Sequence, residues 1–185
     1  MKIDSNIRSA GSLGYLHERQ CSSAQVSVII CTRNRAALVT RAIESVLAQQ
    51  GVALEIVVVD DCSDDGTPDM LTSKYGERIK IVRLRENKRV AFATNRGFET
   101  SGGEYVALLG DDDYWTDPCK LEKQLSMFSQ STGELGVIGT WWYEQGKSGG
   151  RVSREPSEPD NWKDRLLRGG GIICGSTPLI RRAAW

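Results

Sequence analysis

The chain has 185 residues, 39% hydrophobic and 26% charged, a size and composition that suit one globular domain with a sizeable core. Lys plus Arg and Asp plus Glu stand at 24 each, so no global field draws the protein to nucleic acid or anionic lipid. No apolar stretch is long enough to span a bilayer, the N-terminus lacks a signal-peptide apolar core, and five scattered cysteines without a C-x-x-C pair fit reduced thiols in a cytoplasmic protein better than a zinc site.

Residues 1–25 are polar and aperiodic and read as a loosely held leader; they contain the only histidine, His17, which leaves no histidine for a catalytic triad in the folded part. Residues 26–185 read as a single domain. Val26 to Cys31 is nearly all apolar and β-branched, as in a strand covered on both faces. After Thr32-Arg33-Asn34-Arg35, the residues Leu38, Val39, Ala42, Ile43, Val46 and Leu47 form one helical stripe, which Gly51 ends. Leu54 to Val59 is a second buried strand, stopped by Asp60-Asp61-Cys62-Ser63-Asp64-Asp65-Gly66. Thr67 as cap and Pro68 at the first helical position then open a short helix toward Tyr75.

Ile79 to Leu84 predicts a third strand, Arg85 to Arg89 a polar turn, and Val90 to Ser101 a helix closed by Gly102-Gly103. The apolar run Tyr105 to Leu109 predicts a fourth strand, ending on Gly110 and the carboxylates Asp111, Asp112 and Asp113. Thr116 or Asp117 caps a helix from Pro118 whose Leu121, Leu125 and Phe128 share one face. Beyond Gln130 the pattern changes. Leu135 to Tyr143 predicts a strand, Gly146 to Asn161 a long loop, Trp162 to Leu167 a helical turn, and Ile172 to Ile180 a last strand broken by Gly175 and Pro178. Repeated strand–helix alternation argues for a doubly wound, mostly parallel α/β sheet with helices on both faces.

In such a sheet, ligands bind beyond the carboxyl ends of the strands. Four consecutive strand ends carry polar clusters there: Thr32 to Arg35, Asp60 to Asp65, Asn87 to Arg89, and Asp111 to Asp113. Asp60 and Asp61 can accept from a base imide or a ribose hydroxyl, Thr32, Asn34 and Arg35 can frame a base, and Lys88 or Arg89 can face phosphate. Each cluster also has a plainer role. Asp61, Ser63 and Asp65 can satisfy turn and cap donors, Asn87 can form a turn, Arg33 and Arg35 can be solvated, and three aspartates can be an acidic turn. Carboxylates at the end of a buried strand also suit Mg²⁺ or Mn²⁺.

The stretch from Val26 to Leu125 resembles the family 2 glycosyltransferases, nucleotide-sugar-dependent enzymes with the Rossmann-like GT-A fold. The likeness lies in Val-Ser-Val-Ile-Ile-Cys-Thr-Arg-Asn-Arg at 26–35, Arg41 to Gln49, Glu55 to Thr67, Asn87 and Asn95. It continues through Gly103-Glu104-Tyr105, Trp115, Pro118, Leu121, Gln124 and Leu125. The resemblance implies transfer of a sugar, with inversion, from a nucleoside diphosphate donor to the hydroxyl of a saccharide, lipid-linked or protein acceptor. It implies base and ribose contacts at Thr32 and at Asp60 or Asp61. Asp112 matches the last carboxylate of the family's Asp-x-Asp motif and would bind the Mn²⁺ or Mg²⁺ that bridges the diphosphate, with Asp111 or Asp113 in support.

Three positions depart from the family: Gly110 stands where the first carboxylate of Asp-x-Asp is usual, Arg89 where the third turn has glycine, and Thr94 where arginine precedes Asn95. Ribose or metal contacts from position 110 are then absent or pass to Asp111, and Arg89 can restore the charge missing at Thr94. The resemblance puts the Asp or Glu general base after a strand like Ser176 to Arg182, hence beyond Trp185, so a longer parent chain is expected; Glu155, Glu158, Asp160 and Asp164 all precede that strand.

Alternatives of other classes are a nucleotide-sugar-binding module without turnover, a nucleotidyltransferase, and a phosphoacceptor receiver. A nucleotidyltransferase would want a glycine-rich basic loop where Cys31 to Arg35 has no glycine. A receiver would carry its Asp pair on an earlier strand than Val57-Val58-Val59-Asp60-Asp61. The expected setting is cytoplasmic, including the inner face of the membrane. Trp141, Trp142, Tyr143 and Trp162 are aromatic candidates for either sugar stacking or core packing.

Overall fold

The computed structural model describes residues 25–131, 135–145, 151–154 and 174–185, for 145 and 151–154 as backbone only. The expected leader (apart from Gln25), the helical turn at 162–167, Trp162 and the carboxylates at 155, 158, 160 and 164 lie outside those residues. The chain runs β1 (Val26–Thr32), α1 (Ala36–Leu47), β2 (Leu54–Asp60), α2 (Thr67–Tyr75), β3 (Lys80–Arg83), α3 (Arg89–Thr100), β4 (Tyr105–Gly110), α4 (Lys120–Gln130), β5 (Val137–Ile138), β6 (Trp142–Gln145), β7 (Arg151–Arg154) and β8 (Leu179–Arg181).

Six strands form one sheet in the order β3-β2-β1-β4-β8-β5. β1 pairs in parallel with β2 and β4, and β2 with β3, whereas β8 runs antiparallel to both β4 and β5. The α/β expectation therefore holds, with the strand order reversing between β1 and β4.

Side-chain alternation on β1 shows why both faces are covered. Val26, Val28 and Ile30 join Val39, Ala42, Ile43 and Val46 of α1, Leu71 of α2 and Leu121 and Phe128 of α4 in one core cluster. Ile29 turns the other way, with Val57, Val59 and Val106, onto Ala93 of α3. The α3 side is thin because α3 buries only Ala93 and Gly97. A Cβ on Gly97 would lie 2.5 Å from Ile29 Cγ2 and 3.1 Å from Val59 Cγ2, both on buried side chains with no room to turn. Gly97→Ala is expected to lower unfolding free energy by about 1–3 kcal/mol through overpacking, measured by urea denaturation, despite the gain in helix propensity.

Several boundaries differ from expectation. Gly66, in the left-handed region at φ 80°, is the N-cap of α2, and Thr67 is the first helical residue. Asp65 Oδ1 takes the Thr67 amide at 3.0 Å and its hydroxyl at 2.5 Å, so the aspartate does the capping expected of the threonine. That hydroxyl bond holds the exposed Asp65 carboxyl below its ordinary range. α4 begins at Lys120, because Asp117 Oδ1 accepts from the Cys119 amide at 2.9 Å and holds 117–119 in a turn. α3 closes on the extended Ser101, before the glycine pair. The strand expected at 135–143 is two strands, β5 and β6. The loop expected at 146–161 contains β7, which pairs antiparallel with β6 from Trp142↔Arg154 to Gln145↔Arg151. The strand expected at 172–180 is shorter and later, since Thr177 closes a turn onto the Cys174 carbonyl at 3.0 Å before β8 starts.

Candidate active site

The strand order reverses between β1 and β4, and in an open α/β sheet ligands bind beyond the carboxyl ends of the strands at such a point. Buried Thr32 ends β1 on one side, and buried Asp111 follows β4 on the other. The Thr32 hydroxyl donates to Asp111 Oδ2 at 2.8 Å. Arg35 Nη1 reaches Asp111 Oδ1 at 2.9 Å and Asp112 Oδ2 at 3.3 Å. The bond to Asp111 raises the guanidinium above its already high ordinary range, so the arginine stays charged. Asp112 itself is exposed, and its carbonyl accepts from Arg41 Nη2 at 2.6 Å while that guanidinium stacks over the Tyr114 ring.

The Arg35–Asp112 pair is exposed on both sides and is worth only about 0–1 kcal/mol, which a bound cation or phosphate can exceed. The guanidinium thus acts as a displaceable positive charge beside two carboxylates.

β2 supplies the second cluster. Asp60 is fully buried; Oδ1 accepts the Ser63 hydroxyl, Oδ2 accepts the Ser63 amide at 3.2 Å, and Arg83 Nε stands 3.6 Å from Oδ2. Asp61 receives the Lys88 amide at 2.7 Å on Oδ1 and the Arg89 amide at 2.9 Å on Oδ2. Those amides open α3, so this aspartate caps the helix from a distant strand and completes its positive end. Asn87 Oδ1 also accepts from the Arg89 amide at 3.1 Å, the turn-forming role. Arg89 takes φ 66°, a left-handed conformation that favours glycine, and these bonds hold it there. Exposed Asn34, at φ 55°, exchanges two hydrogen bonds with Asp64, 2.7 and 2.9 Å long, while its amide donates to Ser63 Oγ. On the α3 face of β1, burial raises the Cys31 thiol above its ordinary range, a shift partly opposed by the bond to Thr94.

The structure therefore brings Thr32, Arg35, Asp111 and Asp112 into direct contact. Asp60 and Asp61 lie buried beside them with Asn34 exposed at the neighbouring turn, and Asn87 and Arg89 are tied to this cluster through Asp61 and the Arg89 amide. Asp113 turns to a different partner: its Oδ2 accepts from the Ser176 hydroxyl at 2.5 Å. Ser176 Oγ also accepts from the Gly110 amide at 2.9 Å, and the Ser176 carbonyl accepts from Trp115 Nε1 at 2.8 Å. Ser176 falls inside the strand expected at 172–180, and no local pattern marks it as a site residue.

Behind Trp115 sits Lys120, 7% exposed, its ammonium 4.2 Å over the indole and bonded to Gln124 Oε1 at 2.8 Å. Gln124 Nε2 in turn donates to the carbonyls of Ile138 and Thr177. Burial pushes the Lys120 amine down from 10.5 to about 7. The unfolded chain holds this proton up to about pH 10.5 and the folded chain only to about 7, so stability rises with pH through that window and the full cost of the charge is present below it. Melting temperatures at pH 6 to 10 are expected to rise more steeply for the unaltered chain than for Lys120→Met, which lacks the titrating group.

Among the described residues no helix is long and apolar enough to cross a membrane, no three His, Cys, Asp or Glu side chains group to hold a metal by themselves, and the four described cysteines are free. The chain is 43% identical over 116 residues to TuaG of Bacillus subtilis, named as a candidate teichuronic acid biosynthesis glycosyltransferase, covering 62% of this chain and 46% of that protein. It is 34% identical over 112 residues to the succinoglycan biosynthesis protein ExoO of Rhizobium meliloti, covering 60% and 32%. With EpsE of Bacillus subtilis, named as a candidate glycosyltransferase, it shares 31% identity over 170 residues, covering 89% and 59%. The chain thus spans less than two thirds of the length of each.

In fold it is similar to Staphylococcus aureus TarS in complex with UDP-GlcNAc, at TM-score 0.65 and 21% identity over 86% of this chain and 46% of that one. It is also similar to the mannosyltransferase PcManGT of Pyrobaculum calidifontis in complex with GDP-Man and Mn²⁺, at TM-score 0.63 and 22% identity over 86% and 45%. These likenesses assign the GT-A fold. The sequence profile described as Glycosyl transferase family 2 matches residues 27–184, and the chain belongs to that family.

Proposed function

We propose that the chain binds a nucleoside diphosphate sugar across the crevice between β1 and β4 and serves transfer of the sugar to an acceptor hydroxyl, with inversion at the anomeric carbon. The observation that carries this reading is the bonded set Thr32–Asp111–Arg35–Asp112 at the point where the strand order reverses. Thr32, Asn34, Asp60 and Asp61 are assigned to the base and ribose side, Asn87 and Arg89 to the phosphate side, and Asp111 to the support of both. The family resemblance places the general base after β8.

A divalent cation, Mn²⁺ or Mg²⁺, fits the residues present. Asp112 and Asp113 offer hard oxygens, and Asp112 Oδ1 and Asp113 Oδ2 converge over the space that a side chain at Gly110 would fill. Arg35 meets the other carboxylate oxygen of Asp112, Oδ2, at 3.3 Å. With no three-carboxylate cage among the described residues, the cation would depend on phosphate oxygens and water for its other ligands, as such ions commonly do. When bound it supplies Lewis-acid stabilisation of the departing nucleoside diphosphate. Asp112 and Asp113 would hold it, Thr32 keeps Asp111 oriented, and Arg35, released from Asp112, would meet phosphate.

That the fold neighbours bind UDP-GlcNAc and GDP-Man supports a nucleotide-sugar donor and leaves uridine and guanosine both in play. The relatives named for teichuronic acid and succinoglycan biosynthesis support a polysaccharide acceptor, and free cysteines suit a reducing, cytoplasmic setting at the inner membrane face. Calorimetric titration with UDP and with GDP, each with and without Mn²⁺, tests the reading: one nucleotide binds, more tightly with Mn²⁺, and failure of both to bind in either condition overturns it.

A further inference from the structure

Gly110 occupies the position where the family resemblance expects a carboxylate, and its surroundings show what uses the space. A Cβ at Gly110 would lie 3.1 Å from Asp113 Oδ2, 3.2 Å from Asp112 Oδ1 and 3.3 Å from Ser176 Oγ. The hydroxyl of Ser176, from a segment 66 residues later, reaches into that space and is fully used there. It accepts the Gly110 amide at 2.9 Å and donates to Asp113 Oδ2 at 2.5 Å.

The serine is itself held from behind. Its carbonyl takes the Trp115 indole N–H, Gln124 takes the Thr177 carbonyl at 3.1 Å, and Thr177 closes the turn onto Cys174 with both its amide and its hydroxyl. Trp115, Gln124, Ser176 and Thr177 are all buried. β8 then pairs with β4 at Ala107↔Leu179, which keeps the segment alongside the strand that ends in Gly110.

We propose that Ser176 is a positioning residue of the donor site, standing in for the side chain missing at position 110: it orients the Asp113 carboxylate and fixes the turn that presents Asp112. The inference rests on the reading of Asp112 and Asp113 as the cation-holding pair. It gives the late segment of the chain a direct part in the donor half of the site. Partners of this kind, one bond removed from a metal ligand, typically change metal affinity by about 10–100-fold.

The test measures Mn²⁺ binding to the whole chain in the presence of UDP or GDP, by paramagnetic resonance of free Mn²⁺, alongside nucleotide binding in EDTA. Ser176→Ala is expected to weaken Mn²⁺ binding by about 10-fold or more while leaving nucleotide binding in EDTA unchanged, and Ser176→Thr, which keeps the hydroxyl, is expected to restore most of it. A merely structural serine would lower both affinities together or neither. Should Ser176→Ala fail to fold, Ser176→Cys keeps the shape with a weaker donor and is expected to show the same selective loss. Unchanged Mn²⁺ affinity in the folded alanine or cysteine variant overturns the inference. Asp112→Asn, run in parallel, separates the two claims: if it also leaves Mn²⁺ binding intact, the site reading has failed as well; if it abolishes binding while the Ser176 variants do not, only the role of Ser176 is lost.

Discussion

Asp112→Asn is expected to weaken Mn²⁺-dependent binding of a nucleoside diphosphate by about 100-fold or more while leaving metal-free nucleotide binding and the melting temperature near their original values. The argument is one of position and charge. Asp112 is exposed at the mouth of the β1–β4 crevice, its backbone carbonyl is pinned by Arg41, and one carboxylate oxygen meets only the displaceable Arg35. Nothing buried depends on its side chain, so the fold loses little. The amide keeps the shape and removes the anionic ligand, and a ligand should matter at least as much as the outer-shell partners that cost 10–100-fold. Asp111→Asn should behave differently, because that buried carboxylate already serves Thr32 and Arg35. Calorimetry on both variants distinguishes a ligand from a support.

The second large effect is expected at Asp61, and it falls on stability as well as binding. Its two oxygens carry the Lys88 and Arg89 amides that open α3. Asp61→Ala leaves both amides without this acceptor and removes a carboxylate from the positive end of the helix. Loss of a helix cap costs about 0.5–2 kcal/mol, and an unsatisfied partly buried donor about 1–3 kcal/mol. A total near 3 kcal/mol is the expected fall in unfolding free energy, measured by urea denaturation. Arg89 should then leave its left-handed conformation, since the strain of about 1–2 kcal/mol is no longer held, and the third turn should move away from the phosphate side. Asp61→Asn keeps one good acceptor and should lose roughly half as much. If Asp61→Ala melts like the unaltered chain, the bonds to Lys88 and Arg89 are not what orders this turn.

Much of this architecture was legible from residue patterns because the physics is local. β1, β2 and β4 are continuous apolar runs, as strands buried on both faces must be, and each ends at a polar cluster that cannot enter the core. The alternation with α1, α2 and α3 follows from periodicity, and the crevice follows from the alternation. The plainer readings hold: Asp61 and Asp65 do cap helices, and Asn87 does make a turn.

What stayed hidden depends on contacts between distant residues. Asp61 caps α3 from 27 residues away in sequence, and Ser176 meets Asp113 across 63. Neither spacing leaves a trace in a local window. Lys120 reads as a solvated first-turn residue of α4, yet Trp115 and Gln124 enclose it. The β6–β7 pair escaped because Trp141 and Tyr143 are exposed, so burial marks this end of β6 weakly, and the glycines at 146, 149 and 150 read as loop.

The central claim is that donor and cation meet at the carboxyl ends of β1 and β4. A crystal structure of the chain with Mn²⁺ and whichever of UDP or GDP it binds, with Mn²⁺ located by anomalous scattering, tests it most directly. The account predicts one Mn²⁺ peak at ligation distance, about 2.1 Å, from an Asp112 carboxylate oxygen, with the diphosphate over Gly110 and the base beside Thr32 and Asp60. Mn²⁺ bound away from Asp112, or a nucleotide lying outside the β1–β4 crevice, would contradict it.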